Sequence, residues 1–361
     1  MSSTAIIETP APAPEYTRLE LLSAHGPVFR EVSTEPPRPA TEEEIPVIDL
    51  TPINGDLQAR KDLASRVRMA AENTGFFYIK NHGIQQQLIE DALEQAKRFF
   101  AQPESEKQKV ASRRSDTSVG YIGVSQAQTN RTETKDRKET FSIQYDSRLD
   151  PENNAAGEQL DERSREHDYF WEGVKHLDGF QAVITTFWQR RLELARKLCR
   201  IFALALDLPE NYFDEMITHP GADTVFLHYP GTEDAPNSKK VDIDVGIGSH
   251  TDIQLFTLLW QDGSGGLQIL SKSGQWLEAP PRDGTIVVNI ADFLQRLSNN
   301  QFNSTVHRVY NRQSTSRYSQ PFFFGLNPEA ICSVVPTCVD EEHPPLYEPI
   351  SCGKVSNPAY V

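Results

Sequence analysis

Two histidines and one aspartate have the residue types and the spacing to hold a metal ion. His250 and Asp252 stand two residues apart at the start of a strongly β-prone run, and residues so spaced in a strand point to the same face. A later β-prone run offers His307 as a third ligand. Two imidazoles and one carboxylate leave the opposite face of the metal open, which suits iron chemistry with dioxygen.

The same pattern can also arise without function. With nine histidines in the chain, about half a His-x-Asp pair is expected by chance. A second copy, His176-Leu177-Asp178, precedes a long helical pattern, where residues two apart do not face each other. We interpret that copy as structural, with Asp178 as a helix N-cap. His82, in a turn after a strand, is predicted to bond to the backbone.

An iron held by three protein ligands has room for a chelating 2-oxo acid, whose distal carboxylate would need a buried cation. Arginine suits that task because its planar fork binds a carboxylate through two hydrogen bonds. Arg317 is preferred because it opens an aromatic strand that returns beside His307, with Ser319 on the same face. The alternative is an arginine at a strand end that pairs with a surface carboxylate. Four Arg-x-Ser triplets occur: Arg113-x-Ser115, Arg296-x-Ser298, Arg312-x-Ser314 and Arg317-x-Ser319.

Composition narrows the function classes. The formal net charge of −15 argues against a nucleic-acid or anionic-membrane partner, while a small-molecule substrate fits an ordinary globular composition with 24% charged residues. The four cysteines form no CxxC motif, and no apolar run reaches the length of a membrane span. We therefore expect a cytoplasmic protein with reduced thiols. The sequence defines neither the substrate nor the oligomeric state.

The first half of the chain is predicted to combine helices with short strands. Residues 1–44 are rich in proline and predict a flexible or surface-wrapping arm, and residues 45–208 predict a helical and strand region that packs on the core. Within that region, residues 104–166 are polar, and the charge run 136–139 is interpreted as a solvated loop. Residues 178–206 form the longest helical pattern.

After residue 209 the periodicity changes from 3.6 to 2. Short strand patterns separated by turns predict a sandwich or barrel over residues 209–330, followed by a C-terminal tail over 331–361. The predicted fold class is α+β with a mainly β core. The core is a double-stranded β-helix, or jelly roll, flanked by helices that include the long one. Such a fold would bring His307 to His250 and Asp252.

The chain resembles the isopenicillin N synthase-like family of Fe(II)- and 2-oxoglutarate-dependent dioxygenases over about residues 45–328. Its N-terminal part carries Gly75-Phe76-Phe77-Tyr78, Asn81-His82-Gly83 and Lys138-Glu139-x-Phe141. The core carries His250-Thr251-Asp252, Gly265-Gly266-Leu267-Gln268, Val288-Asn289-Ile290-x-Asp292, Ser304-x-x-His307-Arg308-Val309 and Arg317-Tyr318-Ser319-x-Pro321-Phe322-Phe323.

The resemblance implies roles for individual residues. His250, Asp252 and His307 would hold iron. Arg317 and Ser319 would bind the distal carboxylate of 2-oxoglutarate, and Tyr229 would contact the same cosubstrate. The alternative for Tyr229 is a strand aromatic that fills the core. Two positions depart from the family pattern: Leu227 stands where asparagine is common, and Ala291 where glycine is common.

The implied activity is oxidation of a small organic molecule, as in specialised metabolism, with O2 and 2-oxoglutarate giving succinate and CO2. Abstraction of hydrogen from a C–H bond could lead to hydroxylation, desaturation or ring rearrangement. Two alternatives stay open: an iron oxidase of the same fold that does not consume 2-oxoglutarate, and a non-catalytic small-molecule binding module. For the substrate pocket we expect Phe324, Tyr121 and Val119, with core packing or a surface loop as their alternative roles.

Overall fold

A computed structural model describes residues 15–23, 26–112, 119–152, 162–231, 245–310 and 313–355. Two facing sheets form a jelly roll, and helices cover one of them. The strands are β1 (Tyr16–Ser23), β2 (Gly26–Ser33), β3 (Arg38–Pro39), β4 (Val47–Asp49), β5 (Phe76–Lys80), β6 (Gly120–Ile122), β7 (Glu139–Ile143), β8 (Ala222–Tyr229), β9 (Ile247–His250), β10 (Phe256–Gln261), β11 (Leu267–Leu270), β12 (Trp276–Glu278), β13 (Thr285–Ile290), β14 (His307–Val309), β15 (Arg317–Phe324), β16 (Ile331–Cys332) and β17 (Ile350–Ser351). The helices are α1 (Leu57–Asn73), α2 (Gln86–Phe100), α3 (Glu104–Lys107), α4 (Glu162–Val174), α5 (Phe180–Ala205), α6 (Asp292–Leu297) and α7 (Cys352–Val355).

The large sheet has eight strands in the order β4-β5-β13-β10-β15-β8-β7-β6, and the small sheet has five in the order β3-β12-β11-β14-β9. Because side chains alternate along a strand, each large-sheet strand divides its residues between two faces. On β5, Phe76 and Tyr78 join the cluster between the sheets, whereas Phe77 and Ile79 join the cluster against the helices. We call these the inner and the outer face. Strands from before and after residue 208 share this sheet.

Helix α5 is the main element on the outer face. Its apolar side chains lie at helical spacing, and Phe202 contacts Phe256 of β10 with ring centroids 5.0 Å apart. The helix follows Gly179, whose φ of 73° suits glycine. The prediction that Asp178 caps this helix is therefore wrong, because a left-handed glycine occupies the cap position.

The N-terminal segment forms regular structure over its described part. Strands β1 and β2 make an antiparallel hairpin, and β3 pairs in parallel with β12 at the edge of the small sheet. Leu21 and Val32 of the hairpin join a cluster with Leu270, Trp276 and Val306. Residues 15–23 and 26–44 thus wrap the outside of the small sheet, while residues 1–14 lie outside the described part.

The charge run at residues 136–139, within the polar segment 104–166, is not the solvated loop that was predicted. Strands β6 and β7 extend the large sheet, and α4 begins before the segment ends. Glu139 is 3% exposed and forms an ion pair of 2.5 Å with the buried Lys107, while Asp136 is fully buried. The charge run was misread because its charges have partners inside the protein, which composition alone does not show.

The C-terminal tail contributes β16, β17 and α7, and its cysteines are buried. All four cysteines of the chain are free thiols: Cys199, Cys332, Cys338 and Cys352. Among the described residues, no helix combines the length and the apolar character that crossing a bilayer requires.

Candidate active site

The structure brings the three predicted metal ligands together where β9 ends and β14 begins. His307, the first residue of β14, lies directly opposite His250, the last residue of β9. The Asp252 Oδ1 atom lies 3.6 Å from His250 Nε2 and 3.7 Å from His307 Nε2. One ligand atom from each residue lies within 4.8 Å of the others. Asp252 is in the loop after β9, so the loop rather than strand alternation turns its side chain toward the histidines.

Backbone carbonyls orient both imidazoles. His250 Nδ1 lies 2.7 Å from the Gly248 carbonyl oxygen, and His307 Nδ1 lies 3.0 Å from that of Thr305. Because a carbonyl only accepts, each Nδ1 carries the proton and each Nε2 presents a lone pair. Two nitrogen lone pairs and one carboxylate oxygen then converge, an arrangement that a cation stabilises.

The second oxygen of Asp252 is held by the large sheet. Thr257 Oγ1 and Asn289 Nδ2 donate to Oδ2 over 2.5 and 2.7 Å. Burial alone would raise the pKa of Asp252, but the charges of His307 and His250, with these hydrogen bonds, lower it overall. Burial and then the charge of His307 lower the pKa of His250 to about 4. At neutral pH the aspartate is ionised and His250 is neutral, as metal binding requires.

A loop covers the free edge of β9, the edge strand that carries His250. Glu133 accepts from the Ser249 backbone N–H over 2.5 Å and from its hydroxyl over 2.9 Å. Asp136 accepts from the Gly248 N–H over 3.1 Å, and Asn130 Nδ2 donates to the Ser249 carbonyl over 3.1 Å. Side chains thus replace the missing neighbouring strand. The sequence analysis missed these residues, although the quoted Lys138-Glu139-x-Phe141 match borders them.

Arg317, Ser319 and Tyr229 meet on the inner face of the large sheet. Arg317 is opposite Tyr229 in the β15–β8 pairing, and its guanidinium carbon lies 4.7 Å from the tyrosine ring centroid. Its Nη1 donates to Ser319 Oγ over 3.1 Å, its Nη2 to Gln261 Oε1 over 3.1 Å, and its Nε to the Gly265 carbonyl over 2.6 Å. Burial raises the pKa of Tyr229 although the charge of Arg317 opposes that shift.

The buried guanidinium of Arg317 has no carboxylate within 4.0 Å among the described residues. Three of its five N–H groups donate to neutral oxygens, and the Tyr229 hydroxyl is a further neutral hydrogen-bond partner. A buried charge without a counter-ion is costly, so this side chain suits an anionic ligand.

Of the three competing Arg-x-Ser arginines, Arg296 belongs to the described residues, and it is engaged elsewhere. Arg113 and Arg312 lie outside the described residues, and Arg296 stacks 4.6 Å over the Tyr347 ring and donates to the Glu348 carbonyl. The predictions for the other histidines are confirmed: His82 Nδ1 accepts from the Ile84 N–H over 3.2 Å, and His176 bonds to a glutamine at the surface.

The predicted substrate residues are not brought to the site. Phe324, Tyr121 and Val119 all belong to the outer-face cluster. The β15–β8 pairing has the same register before and after Pro321, so Phe324 points away from Arg317 and Ser319. Tyr121 donates to Glu139 over 2.6 Å on that outer face. The expectation that they line the pocket is wrong: the proline does not shift the pleat at Phe324, and Tyr121 and Val119 pack in the outer-face cluster.

Comparisons with known proteins decide the family. Residues 221–326 match the model described as the 2OG-Fe(II) oxygenase superfamily, and residues 45–165 match the one described as the N-terminal region of non-haem dioxygenases in morphine synthesis. A 2-oxoglutarate-Fe(II) type oxidoreductase, ppzC of Metarhizium rileyi, is 40% identical, and the match covers 94% of this chain and 93% of the relative.

The chain belongs to the 2-oxoglutarate- and Fe(II)-dependent oxygenases. Clavatol oxidase claD of Penicillium crustosum is 32% identical over 78% of this chain and 86% of its own. A full-length Neurospora crassa protein, solved in complex with alpha-KG and thymine, matches with a TM-score of 0.74 at 27% identity, covering 89% of this chain and 98% of that one. This oxygenase is therefore an enzyme that uses Fe(II), 2-oxoglutarate and O2, and its donor set fits that metal.

Proposed function

We propose that His250, Asp252 and His307 bind the catalytic Fe(II). The observation that carries this assignment is the convergence of two Nε2 atoms and Asp252 Oδ1, each turned inward by a hydrogen bond to its other polar atom. No other group of three or more potential ligands lies as close together in the described part of the chain.

Arg317, Ser319 and Tyr229 are proposed to bind 2-oxoglutarate. The planar guanidinium of Arg317 can form a fork for the distal carboxylate, and the hydroxyls of Ser319 and Tyr229 beside it can add further donors. The neutral contacts to Gly265 and Gln261 fix the plane of that fork before the anion arrives. The site thus needs little reorganisation on binding.

The substrate is proposed to be a small organic molecule of specialised metabolism, oxidised at a C–H bond. The family's chemistry is oxidation coupled to conversion of 2-oxoglutarate and O2 into succinate and CO2. Support for the substrate class comes from the names of relatives: one is a clavatol oxidase, and a structural neighbour holds thymine. The chain's own residues would orient that molecule beside the metal and exclude water. A cytoplasmic location stays a prediction.

The test asks whether oxidation of the substrate is accompanied by conversion of 2-oxoglutarate into succinate. Purified enzyme with Fe(II), ascorbate and 2-oxoglutarate is incubated with a library of small fungal and plant metabolites, and succinate and substrate products are measured by mass spectrometry. We expect succinate above the substrate-free rate together with a product that has gained one oxygen or lost two hydrogens. Asp252→Ala serves as the control without iron.

Two results would contradict the proposal. Oxidised product without succinate would favour an oxidase that does not consume 2-oxoglutarate. Tight binding of a metabolite with no oxidation of it, by protein that carries iron, would favour a non-catalytic binding module.

A further inference from the structure

Lys138 lies beside the strand that carries His250, although its sequence context is a charge run. It stands directly before β7, and its ammonium lies 2.7 Å from Asp136 Oδ2. Asp136 in turn accepts from the backbone N–H of Gly248 on β9 over 3.1 Å, which brings the lysine to this strand. The carbonyl of the same Gly248 lies 2.7 Å from His250 Nδ1, so the ion-pair partner of Lys138 contacts the residue that orients this proposed iron ligand.

The Lys138 ammonium has one close partner. Its Nζ lies 2.7 Å from Asp136 Oδ2 and 3.5 Å from Thr129 Oγ1, and the side chain is 10% exposed. The oxygens of Asp136 are also occupied by the backbone N–H groups of Gly248 and Thr129 and by the Thr129 hydroxyl. The carboxylate is therefore fixed between β7 and β9, and it holds the lysine in place.

An ammonium carries three N–H groups, and these two contacts use at most two of them. A buried donor without an acceptor costs free energy, so a ligand that supplies an acceptor gains affinity. Lys138 can thus donate one further hydrogen bond to a ligand beside the proposed metal centre.

The charge balance indicates which acceptor fits. Lys138 and Asp136 together are neutral, and a carboxylate brought to Lys138 would also face the negative charge of Asp136. If the proposed roles hold, the charges of Fe(II), Asp252, 2-oxoglutarate and Arg317 also cancel. A neutral oxygen acceptor therefore suits this interior better than an anion.

We propose that Lys138 is a specificity-determining residue that donates to a neutral carbonyl oxygen of the primary substrate, such as that of a lactam, amide or ketone. This assignment rests on the proposed function. It names the chemical class of the substrate and predicts that the acid of the same ring is a poorer substrate.

The test uses ring compounds as matched pairs in which a neutral amide replaces the carboxylate on the same ring: benzamide and benzoate, nicotinamide and nicotinate, and pipecolamide and pipecolate. Succinate formed above the substrate-free rate is measured at increasing probe concentration for wild type, Lys138→Met, Lys138→Arg and Lys135→Met. Lys135 is an exposed lysine in the same loop and serves as the matched control.

We expect neutral members to stimulate the wild type more than their acids. Lys138→Met should weaken their apparent affinity about 10- to 100-fold, as for the loss of a hydrogen bond to a charged donor. Lys138→Arg should restore part of that affinity, and Lys135→Met should match the wild type. In Lys138→Met the carboxylate of Asp136 has lost its lysine partner, and the double variant Asp136→Asn/Lys138→Met removes that unpaired charge. If Lys138 contacts the substrate, the double variant should show the same loss of affinity for the neutral probes.

Stimulation by the acids alone, by neither class, or by neutral members equally in Lys138→Met would overturn the proposal. Failure of the proposed function is distinguishable, because the wild type would then form no Fe(II)- and 2-oxoglutarate-dependent succinate at all. Wild type and Lys138→Met should share the same 2-oxoglutarate affinity, which separates substrate binding from damage to the metal site.

Discussion

Arg317 and Arg191 lie on opposite faces of the large sheet, and each is 1% exposed. Among the described residues, neither forms an ion pair with a carboxylate. Arg191, on α5, donates to the Gln320 carbonyl and to the Thr224 hydroxyl and stacks 3.9 Å over the Phe187 ring. Arg317 instead faces the space between the sheets, where Ser319 and Tyr229 lie beside it. Burial among aromatic rings holds the pKa of Arg191 well below its usual range.

The buried carboxylates show the same contrast. On the outer face, Glu139 accepts from Lys107, Tyr121 and His228 over 2.5 to 2.7 Å. At the site, Asp252 Oδ1 faces only imidazole nitrogens that carry lone pairs. Glu139 is thus paired with a lysine of the protein, whereas Asp252 has no lysine or arginine partner, and Arg317 no carboxylate partner, within 4.0 Å among the described residues. Substitutions should therefore affect stability on one face and activity at the other.

The clearest separation of an effect on activity from an effect on stability is expected between Asp252→Ala and Glu139→Ala. Asp252→Ala removes a metal ligand and should abolish succinate formation with little loss of thermal stability. Glu139→Ala removes the close, buried partner of Lys107 and leaves it only the more exposed Glu104 at 3.3 Å. It should cost about 3 kcal/mol of unfolding free energy, while iron is still bound. Turnover and denaturant unfolding are measured on both variants. If both variants lose the same activity and the same unfolding free energy, the separation is refuted.

Arg317→Met should weaken the apparent affinity for 2-oxoglutarate by about 30-fold or more, because a carboxylate loses a buried partner that accounts for roughly 2–5 kcal/mol. Ser319→Ala should have a smaller effect in the same assay. Arg312→Met is the control, since it belongs to a competing Arg-x-Ser triplet. A larger defect in that control would mean that the wrong arginine was chosen.

The outer-face carboxylate should make stability depend on pH. Burial raises the pKa of Glu139, but hydrogen bonds from His228, Lys107 and Tyr121 lower it overall, below the 4.5 of a free glutamate. Its stabilisation is therefore present above about pH 4.5 and is lost as the pH falls below that value. We expect the difference in unfolding free energy between wild type and Glu139→Gln to shrink from pH 6 to pH 3.

The matched control for this pH series is Glu193→Gln, which affects a surface pair with Lys197. It should change stability by less than about 0.5 kcal/mol at every pH. A Glu139→Gln difference that stays constant down to pH 3 would contradict the assignment.

Arg191→Met should have the smallest effect. Replacing a buried charge that lacks a counter-ion by an apolar side chain of similar length is neutral or stabilises by about 1 kcal/mol, and 2-oxoglutarate affinity should not change. Calorimetry and cosubstrate titration would measure both. A stability loss above about 3 kcal/mol would mean that the hydrogen bonds of Arg191 outweigh its desolvation.

The sequence was sufficient to predict the jelly roll, the long helix and the convergence of His250, Asp252 and His307, because period-2 runs and residue types are local signals. It was not sufficient for the contacts around them. Thr257 and Asn289 hold Asp252 from strands on the other sheet, and Glu133 reaches Ser249 across 116 residues. Such pairings depend on topology, which periodicity does not contain.

Two errors have the same origin. The acidic and basic residues around residue 136 were interpreted as solvated because their partners lie in distant elements. Phe324 was assigned to the pocket because Pro321 was expected to shift the strand, but the pairing with β8 continues in register. The pairing register of a strand, which decides the face to which each side chain points, is set by the whole sheet and not by one residue.

The most direct test of the central claim is an anaerobic titration of the purified protein with Fe(II) and 2-oxoglutarate, followed by absorption spectroscopy. The account predicts one Fe(II) per chain and a visible charge-transfer band that appears only when both are present. His250→Ala should lose the band, and His176→Ala, which alters the surface His-x-Asp copy, should keep it. A full band in His250→Ala, or a lost band in His176→Ala, would contradict the assignment of the metal site.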